Sequence, residues 1–404
     1  MSLGERELIA MLPDLTAPLS TARGLPNAAY VDPGLFELER LSLLGRTWTA
    51  IAYESELPGP GTAKPVDFMG APLLLVCDRD GGLNVFHNVC SHRGMKLVEQ
   101  TGRVRTAIRC PYHSWSYSLH GDLLSTPLVG GNRRNTCPGF DKAQHGLKSV
   151  NFAVWMGIVF VDLSGGASPF ERCIAPLAER WEPYLGDDGY RQFCSGSTGS
   201  SFELELSCNW KLAIENYCEA YHLPWVHRSL NEYSPLEAHF NITHGEGMAG
   251  QGSRQYDPAT TAGMELPRIS GWPDGKLKHA EYIALYPNTL LGLQADHFFS
   301  VIVLPQAADR SLEKVHVAYV GDAATEERYA ACRQAVLDGW ELVFREDIAA
   351  VEGMQAGRRS PGFTGGVLTP VQDVPTHHFH RWVSRAYANA IGSMASASST
   401  GTAR

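Results

Sequence analysis

The most specific chemistry in the sequence is carried by Cys90-x-His92 and, after seventeen residues, Cys110-x-x-His113. Each half is a short loop able to aim a thiolate and an imidazole at one point, and together they offer two sulfurs and two nitrogens. Such a set binds tetrahedral zinc, or a [2Fe-2S] cluster in which two histidines replace two cysteines on one iron. The short Cys-x-His spacing, with Arg93-Gly94, Tyr112 and Trp115 around it, favours the cluster. Gly94 would let the loop backbone approach the inorganic core, while Tyr112 and Trp115 would shield it from water. Exchanging two anionic thiolates for neutral imidazoles raises the potential to roughly −150 to +300 mV, against about −400 mV for plant-type all-cysteine clusters. Such a centre takes electrons readily from a reduced flavin or a ferredoxin.

A second constellation lies in Asn209 to His227, NWKLAIENYCEAYHLPWVH. The stretch reads as a helix that places Asn216, Glu219 and Leu223 on one face, with His222 almost beneath Glu219. Pro224 is expected to end or kink that helix and bring His227 off the following turn, so that two imidazoles converge where a metal ion could sit. A mononuclear Fe(II) that activates O2 commonly takes two His and one carboxylate on one face. The carboxylate is sought in a long helix expected from Ala324, whose apolar stripe runs Val336, Trp340, Val343, Phe344, Ile348 and Val351. Asp347 falls in that stripe without a Lys or Arg at helical spacing, a costly place for a charge unless it is paired or bound to metal. An Asp paired to a distant group is the alternative there. Glu346 and Glu352 fall on the wetter flanks.

The elements that must position these residues follow from local patterning. Residues 1 to 46 read as short helices and turns. Short β-rich runs then follow at Trp48 to Ala52, Ala71 to Cys77, Leu83 to Val89, Val104 to Arg109, Ser114 to Leu119 and Val154 to Val161. Asp80-Gly81-Gly82 and His120-Gly121-Asp122 read as hairpin turns, so the region suggests a small all-β domain. Beyond it come a helix over Pro169 to Leu185, an alternating run over Phe193 to Leu206, and a Gly/Ser/Thr/Pro-rich loop over 245 to 280 near a pocket mouth. Strands over 282 to 286, 289 to 293, 297 to 304 and 313 to 320 would wall a cavity against the metal helix.

Composition bounds the partners. The 404 residues are 44% hydrophobic and 19% charged, enough for two or three cores, and the net charge of −9 without a Lys/Arg run argues against nucleic acid or an anionic membrane surface. No stretch approaches the roughly 18 apolar residues of a membrane span, and MSLGERELIAML lacks the core of a signal peptide, so a cytoplasmic location is expected. Nine scattered cysteines are unlike a disulfide scaffold.

CSHRG followed by CPYHSWSY resembles the signature of Rieske iron-sulfur domains, and NWKLAIENYCEAYHLPWVH resembles the mononuclear-iron motif of Rieske non-haem iron oxygenase α subunits. The order of the motifs and the length match as well, so the resemblance covers nearly the whole chain. It implies an α+β architecture: an all-β Rieske [2Fe-2S] domain over 47–165 and a helix-grip (START-like) catalytic domain over 166–390, in which a long helix crosses a curved antiparallel sheet. Residues 1–46 would pack on the catalytic domain and 391–404 would form a flexible tail. By the same resemblance Cys90, His92, Cys110 and His113 hold the cluster, and His222, His227 and Asp347 hold Fe(II). Glu219 would link the iron to His113 or His92 of a neighbouring subunit in a homotrimer, and Asn216 would order water or the bridge. Orientation of His222 alone is the plainer role for Glu219. Most of the family carries Asp at that position. Glu resembles the subgroup acting on carnitine, choline, glycine betaine and stachydrine, and such cations would favour aromatic faces, for which Tyr221, Trp225 and Phe298 are candidates.

The resemblance therefore implies a monooxygenase component that takes electrons from an NAD(P)H-dependent flavin or iron-sulfur reductase or a ferredoxin. It would use O2 to hydroxylate a small quaternary ammonium or N-methyl compound, with N-demethylation or C–N cleavage as the outcome. An aromatic-ring hydroxylating dioxygenase α subunit is the first alternative, and a zinc-stabilised binding protein is the alternative of another class.

Overall fold

The computed structural model describes residues 10, 12, 16–186, 188–195, 200–258 and 264–400. The chain divides into two compact units, one of residues 51–166 and one of residues 1–50 together with 167–404. The sequence boundaries at 47, 165 and 166 fall within a few residues of these.

The smaller unit is built from short antiparallel strands. β1 (Thr49–Tyr53) belongs with β9 (Asn151–Trp155) and β10 (Ile158–Asp162). A four-stranded sheet runs β4-β3-β2-β5, from β2 (Thr62–Phe68), β3 (Ala71–Cys77), β4 (Leu83–His87) and β5 (Gly102–Arg103). A third sheet joins β6 (Ile108–Arg109), β7 (Ser116–Tyr117) and β8 (Leu123–Ser125). The run expected over Val154 to Val161 is in fact the hairpin β9–β10. Met156 and Gly157 both take positive φ, the two-residue turn whose twist suits a tight hairpin. β2 was not anticipated, because Lys64, Pro65 and Asp67 break its apolar pattern.

The larger unit holds an open eight-stranded antiparallel sheet. Its strands are β11 (Phe193–Ser195), β12 (Ser201–Leu206), β13 (His239–Thr243), β14 (Met248–Ser253), β15 (Ala280–Leu285), β16 (Thr289–Leu293), β17 (His297–Ala307) and β18 (Arg310–Val320). The order runs β11-β18-β17-β16-β15-β14-β13, and β12 also pairs with β18. The run expected from Phe193 to Leu206 is thus two strands, and residues 196–199 lie outside the described residues.

The expected loop over 245–280 contains β14, a fully buried strand of sequence MAGQGS. Its glycines mark close packing rather than a loop. A Cβ at Gly250 would lie 2.0 Å from the Tyr282 carbonyl oxygen, and one at Gly252 would lie 2.3 Å from the Phe240 ring. Residues 259–263 of that stretch are outside the described residues.

The described helices are α1 (Ala28–Val31), α2 (Pro33–Ser42), α3 (Phe170–Leu185), α4 (Trp210–Cys218), α5 (Leu223–Val226), α6 (Arg228–Tyr233), α7 (Ala330–Gly357) and α8 (Val374–Thr400). α8 carries regular structure through most of the expected tail, of which residues 401–404 lie outside the described set. Among the described residues no helix is long and apolar enough to cross a membrane.

α4 packs on β14, β15 and β17 and against α7. It starts cleanly because the Asn209 side chain accepts from Lys211 N–H at 3.1 Å. It is buried almost all round, so its polar side chains require partners. Lys211 Nζ meets Glu39 Oε1 at 2.6 Å with both side chains fully buried, and Trp210 Nε1 donates to Glu39 Oε2 at 2.8 Å. Glu215 accepts from Tyr30 Oη at 2.5 Å and lies 3.0 Å from His380 Nε2. These contacts fasten α4 to the N-terminal helices and α8.

Candidate functional site

The two cysteine loops of the smaller unit share one backbone design. Cys90 N–H donates to Met95 O and Gly94 N–H donates to Cys90 O. Cys110 N–H donates to Trp115 O and Ser114 N–H donates to Cys110 O. The residue four after each cysteine takes positive φ, +73° at Gly94 and +58° at Ser114. A non-glycine there costs about 1 kcal/mol or more of backbone strain, so Ser114 marks a loop held in shape by its surroundings. The sequence flagged Gly94 and passed over Ser114.

Both thiols are buried in the apolar core of this unit, with Leu74, Phe86 and Tyr117. The His92 ring stacks on Trp115 at 4.6 Å and meets His113 edge-on at 4.8 Å. The His113 Nδ1 atom is buried without a hydrogen-bond partner. Two buried thiols and an orphaned imidazole nitrogen suit a group that supplies its own bonds, and a [2Fe-2S] cluster fits that set. Trp115 is buried, but Tyr112 is 57% exposed and shields one side of His113 only. Nothing in the local pattern marks Tyr117. Its hydroxyl lies 3.1 Å from Cys90 Sγ and 2.9 Å from Ser91 Oγ, and burial first and Cys90 second push it up to about 12. It therefore stays a neutral donor.

In the larger unit the helix expected from Asn209 to His227 stops earlier. α4 ends at Cys218, and Glu219 is extended (φ −122°, ψ 161°) rather than helical. Pro224 sits in the first turn of α5 instead of ending α4, where its missing N–H costs nothing. His222 and His227 flank α5 at its two ends. The break lets Glu219 fold back: Oε1 meets His222 Nδ1 at 2.6 Å, while Oε2 accepts from the backbone N–H groups of Tyr221 and His222.

α7 brings Asp347 to the same point. Asp347 Oδ1 lies 3.0 Å from His227 Nε2 and 3.6 Å from His222 Nε2, and the three ligating atoms fall within 4.8 Å of one another. That carboxylate oxygen is buried, and despite the short distances it makes no hydrogen bond. Lone pairs facing one another across a small gap suit a cation between them. His227 Nδ1 meets Glu346 Oε2 at 2.8 Å, so each histidine has a carboxylate on Nδ1 and presents Nε2 to the common point. Burial pushes His227 down, but Asp347 and Glu346 outweigh it and hold the ring above its ordinary value.

The sequence pattern places Glu346 on a wet flank. Its helical position does lie beside the stripe, and the fold brings His227 over that flank.

A chamber of about 40 Å3 opens beside this point, lined by Tyr217, Tyr282, Trp340 and Phe344 together with Asn216, His239 and Gln251. Gln251 connects two sides of it, accepting from His239 Nδ1 at 2.5 Å and donating to the Glu219 carbonyl at 3.0 Å.

Of the aromatic residues expected on substrate, Tyr221, Trp225 and Phe298 do not line the chamber. Tyr221 and Trp225 are 44% and 63% exposed and pack edge to face on each other. Phe298 points to the far face of the sheet, against Trp181 and Phe193. Its neighbour Phe299 faces Trp340 at 4.3 Å. Alternation along β17 decides which of two adjacent phenylalanines nears the site, and sequence cannot fix that parity without knowing which face α7 covers.

Residues 47–138 match the Rieske [2Fe-2S] domain family, and residues 196–389 match the ring hydroxylating alpha subunit (catalytic domain) family. The chain is 24% identical over 367 residues to the carnitine monooxygenase oxygenase subunit of Acinetobacter pittii, covering 87% of this chain and 90% of that protein. It is 28% identical over 384 residues to the chloroplastic choline monooxygenase of Arabidopsis thaliana, covering 91% and 83%. Its fold is similar to the crystal structure of the quaternary ammonium Rieske monooxygenase CntA in complex with L-carnitine, with a TM-score of 0.73, 22% identity and coverage of 91% and 96%. Together the two family matches span most of the chain, and the cofactors of that family are a Rieske [2Fe-2S] cluster and a mononuclear non-haem iron. The chain is a member of the Rieske non-haem iron oxygenases, carrying both the cluster domain and the catalytic domain of their α subunits.

Proposed function

We propose that this oxygenase is the terminal component of a monooxygenase acting on a small quaternary ammonium or N-methyl compound. In this reading Cys90, His92, Cys110 and His113 hold the cluster, and His222, His227 and Asp347 hold the iron. The observation that carries it is the buried, unpartnered Asp347 oxygen facing two imidazoles whose outer nitrogens are each taken by a carboxylate. When bound, the cluster supplies single electrons and the iron supplies the activation of O2.

The protein's own residues do the remaining work. Glu219 and Glu346 accept the Nδ1 protons and fix both rings with Nε2 inward. Glu219 has one oxygen on His222 and remains partly exposed. It is therefore suited both to orient the ligand and to meet His92 or His113 of a neighbouring copy, which requires a ring, most simply a homotrimer. Tyr217, Tyr282, Trp340 and Phe344 exclude water and offer π faces, each worth roughly 0.5–2 kcal/mol to a methylated ammonium. Hydroxylation of an N-methyl carbon leaves an unstable carbinolamine that separates into aldehyde and amine. Electrons would come from an NAD(P)H-dependent reductase or a ferredoxin.

O2 uptake with a reductase, screened over L-carnitine, choline, glycine betaine and simple aromatic acids, tests this reading. Substrate-dependent uptake on a methylammonium compound, with formaldehyde where a methyl group is lost, is expected. Uptake on aromatic acids alone would assign the chain to ring hydroxylation instead.

A further inference from the structure

With Trp340 where it stands, the chamber beside the three metal-facing groups is too small for a whole substrate. At about 40 Å3 it has room for a few atoms of solvent or gas, whereas ligand pockets typically span about 300–1,000 Å3. A second cavity of about 390 Å3 lies on the other side of Trp340, whose ring lines both. Trp340 is 5% exposed and is fixed on several sides. Its ring lies 4.3 Å from Phe299, and Nε1 donates to His297 Nε2 at 2.9 Å.

That hydrogen bond sets the charge of the larger cavity. An indole N–H can only donate, so His297 Nε2 must accept, and the single ring proton lies on Nδ1, 2.7 Å from Asp296 Oδ1. His297 in this tautomer is uncharged, so Asp296 has a hydrogen bond from Nδ1 and the field of Arg268 but no imidazolium against it. The other ionic groups on the lining form pairs, Lys278 with Asp257 at 2.5 Å and Arg268 with Glu265 at 3.1 Å. The lining therefore carries a net negative charge beside the aromatic surfaces of Tyr233, Tyr256 and Trp340. Aromatic faces with one unmatched carboxylate are the complement of an organic cation.

We propose that this second cavity is an antechamber that binds the substrate's ammonium group before it passes Trp340 to the metal-facing chamber. This rests on the quaternary ammonium reading above. Asp296 supplies the charge, Trp340 is the shared wall, and the His297 hydrogen bond latches that wall shut. Selection by charge then takes place outside the oxygen chemistry, and selection by size takes place at the indole.

The test uses the full-length protein with both metal centres loaded. Choline and its uncharged isostere 3,3-dimethylbutan-1-ol are titrated calorimetrically into the wild type and Asp296→Asn. The wild type should prefer choline by about tenfold or more, and Asp296→Asn should bring the ratio close to one. Because both ligands meet the same folded variant, a general loss of structure would weaken them together and leave the ratio in place. No preference in the wild type, or an unchanged ratio in the variant, would overturn the site. In O2 uptake, Trp340→Ala should raise kcat/KM for benzyltrimethylammonium relative to choline by about tenfold by removing the wall; an unchanged ratio would remove Trp340 from the passage. Turnover of methylammonium compounds with an unaltered choline ratio sinks the antechamber alone, whereas turnover confined to aromatic acids sinks the reading beneath it.

Discussion

The two metal-facing regions are built on opposite principles. At the proposed cluster site, all four side chains come from two loops, Cys90 to Met95 and Cys110 to Trp115, that close with the same backbone hydrogen bonds and the same positive-φ position. Around the proposed iron site, two histidines from one broken helical stretch meet an aspartate 120 positions after the second of them, and each histidine is steered by a carboxylate from a different element. The first geometry is local and tolerates little variation in spacing. The second depends on how α7 lies against α4 and α5, and its tuning can be changed one carboxylate at a time.

The sharpest way to break this contrast is to remove one ligand from each region. Cys110→Ser should lose the red-brown colour and its bleaching by dithionite, and Asp347→Ala should abolish turnover with the visible spectrum intact. Loss of colour in Asp347→Ala would show that the regions are not separable.

Glu219→Ala comes next. Electron delivery should be blocked while the cluster still reduces with dithionite and iron remains bound by metal analysis. Normal turnover in that variant would leave Glu219 no role beyond orienting His222.

Glu346→Ala should act more mildly, costing about 10–100-fold in iron affinity or activity, as loss of a carboxylate behind a metal histidine usually does. Equal losses in Glu219→Ala and Glu346→Ala would make the two carboxylates equivalent and erase the asymmetry proposed here.

The smallest effect concerns pH in iron-free protein. Asp347 and Glu346 overcome burial to raise His227, and burial followed by the charge of Asp347 pushes Glu313 up to about 8. At these two sites the folded state therefore holds more protons than the unfolded chain. Stability is greatest below the ordinary values of these groups and is lost as pH rises through their raised ones, which for Glu313 means between about 4.5 and 8. Measured against Glu313→Gln, the thermal midpoint of the iron-free wild type should fall across that window, and adding Fe(II) should release protons and flatten the difference. A difference from Glu313→Gln that grows in favour of the wild type as pH rises would contradict the proton count at this site.

The two regions also differ in how far they could be read in advance. The candidate cluster residues stand out through spacing alone, because a loop of six residues leaves little freedom in where its thiolate and imidazole point. Asp347 was legible through a weaker signal, a charge in an apolar helical stripe. Glu346, one residue away, was not, because a flank is wet or covered according to what packs on it. The glycines of β14 suggested a loop until Phe240 and Tyr282 showed that close packing requires them.

Sequence by itself determined the order of the two domains and the family, since these rest on motifs of residue types at short separations, and it singled out the two candidate donor sets. Tertiary structure alone decided where α4 stops, which way Glu219 folds, which of Phe298 and Phe299 faces the chamber, and that Trp340 separates a small chamber from a large one. Each of those depends on contacts between segments far apart in the chain, and local pattern carries no information about the partner that a side chain will meet.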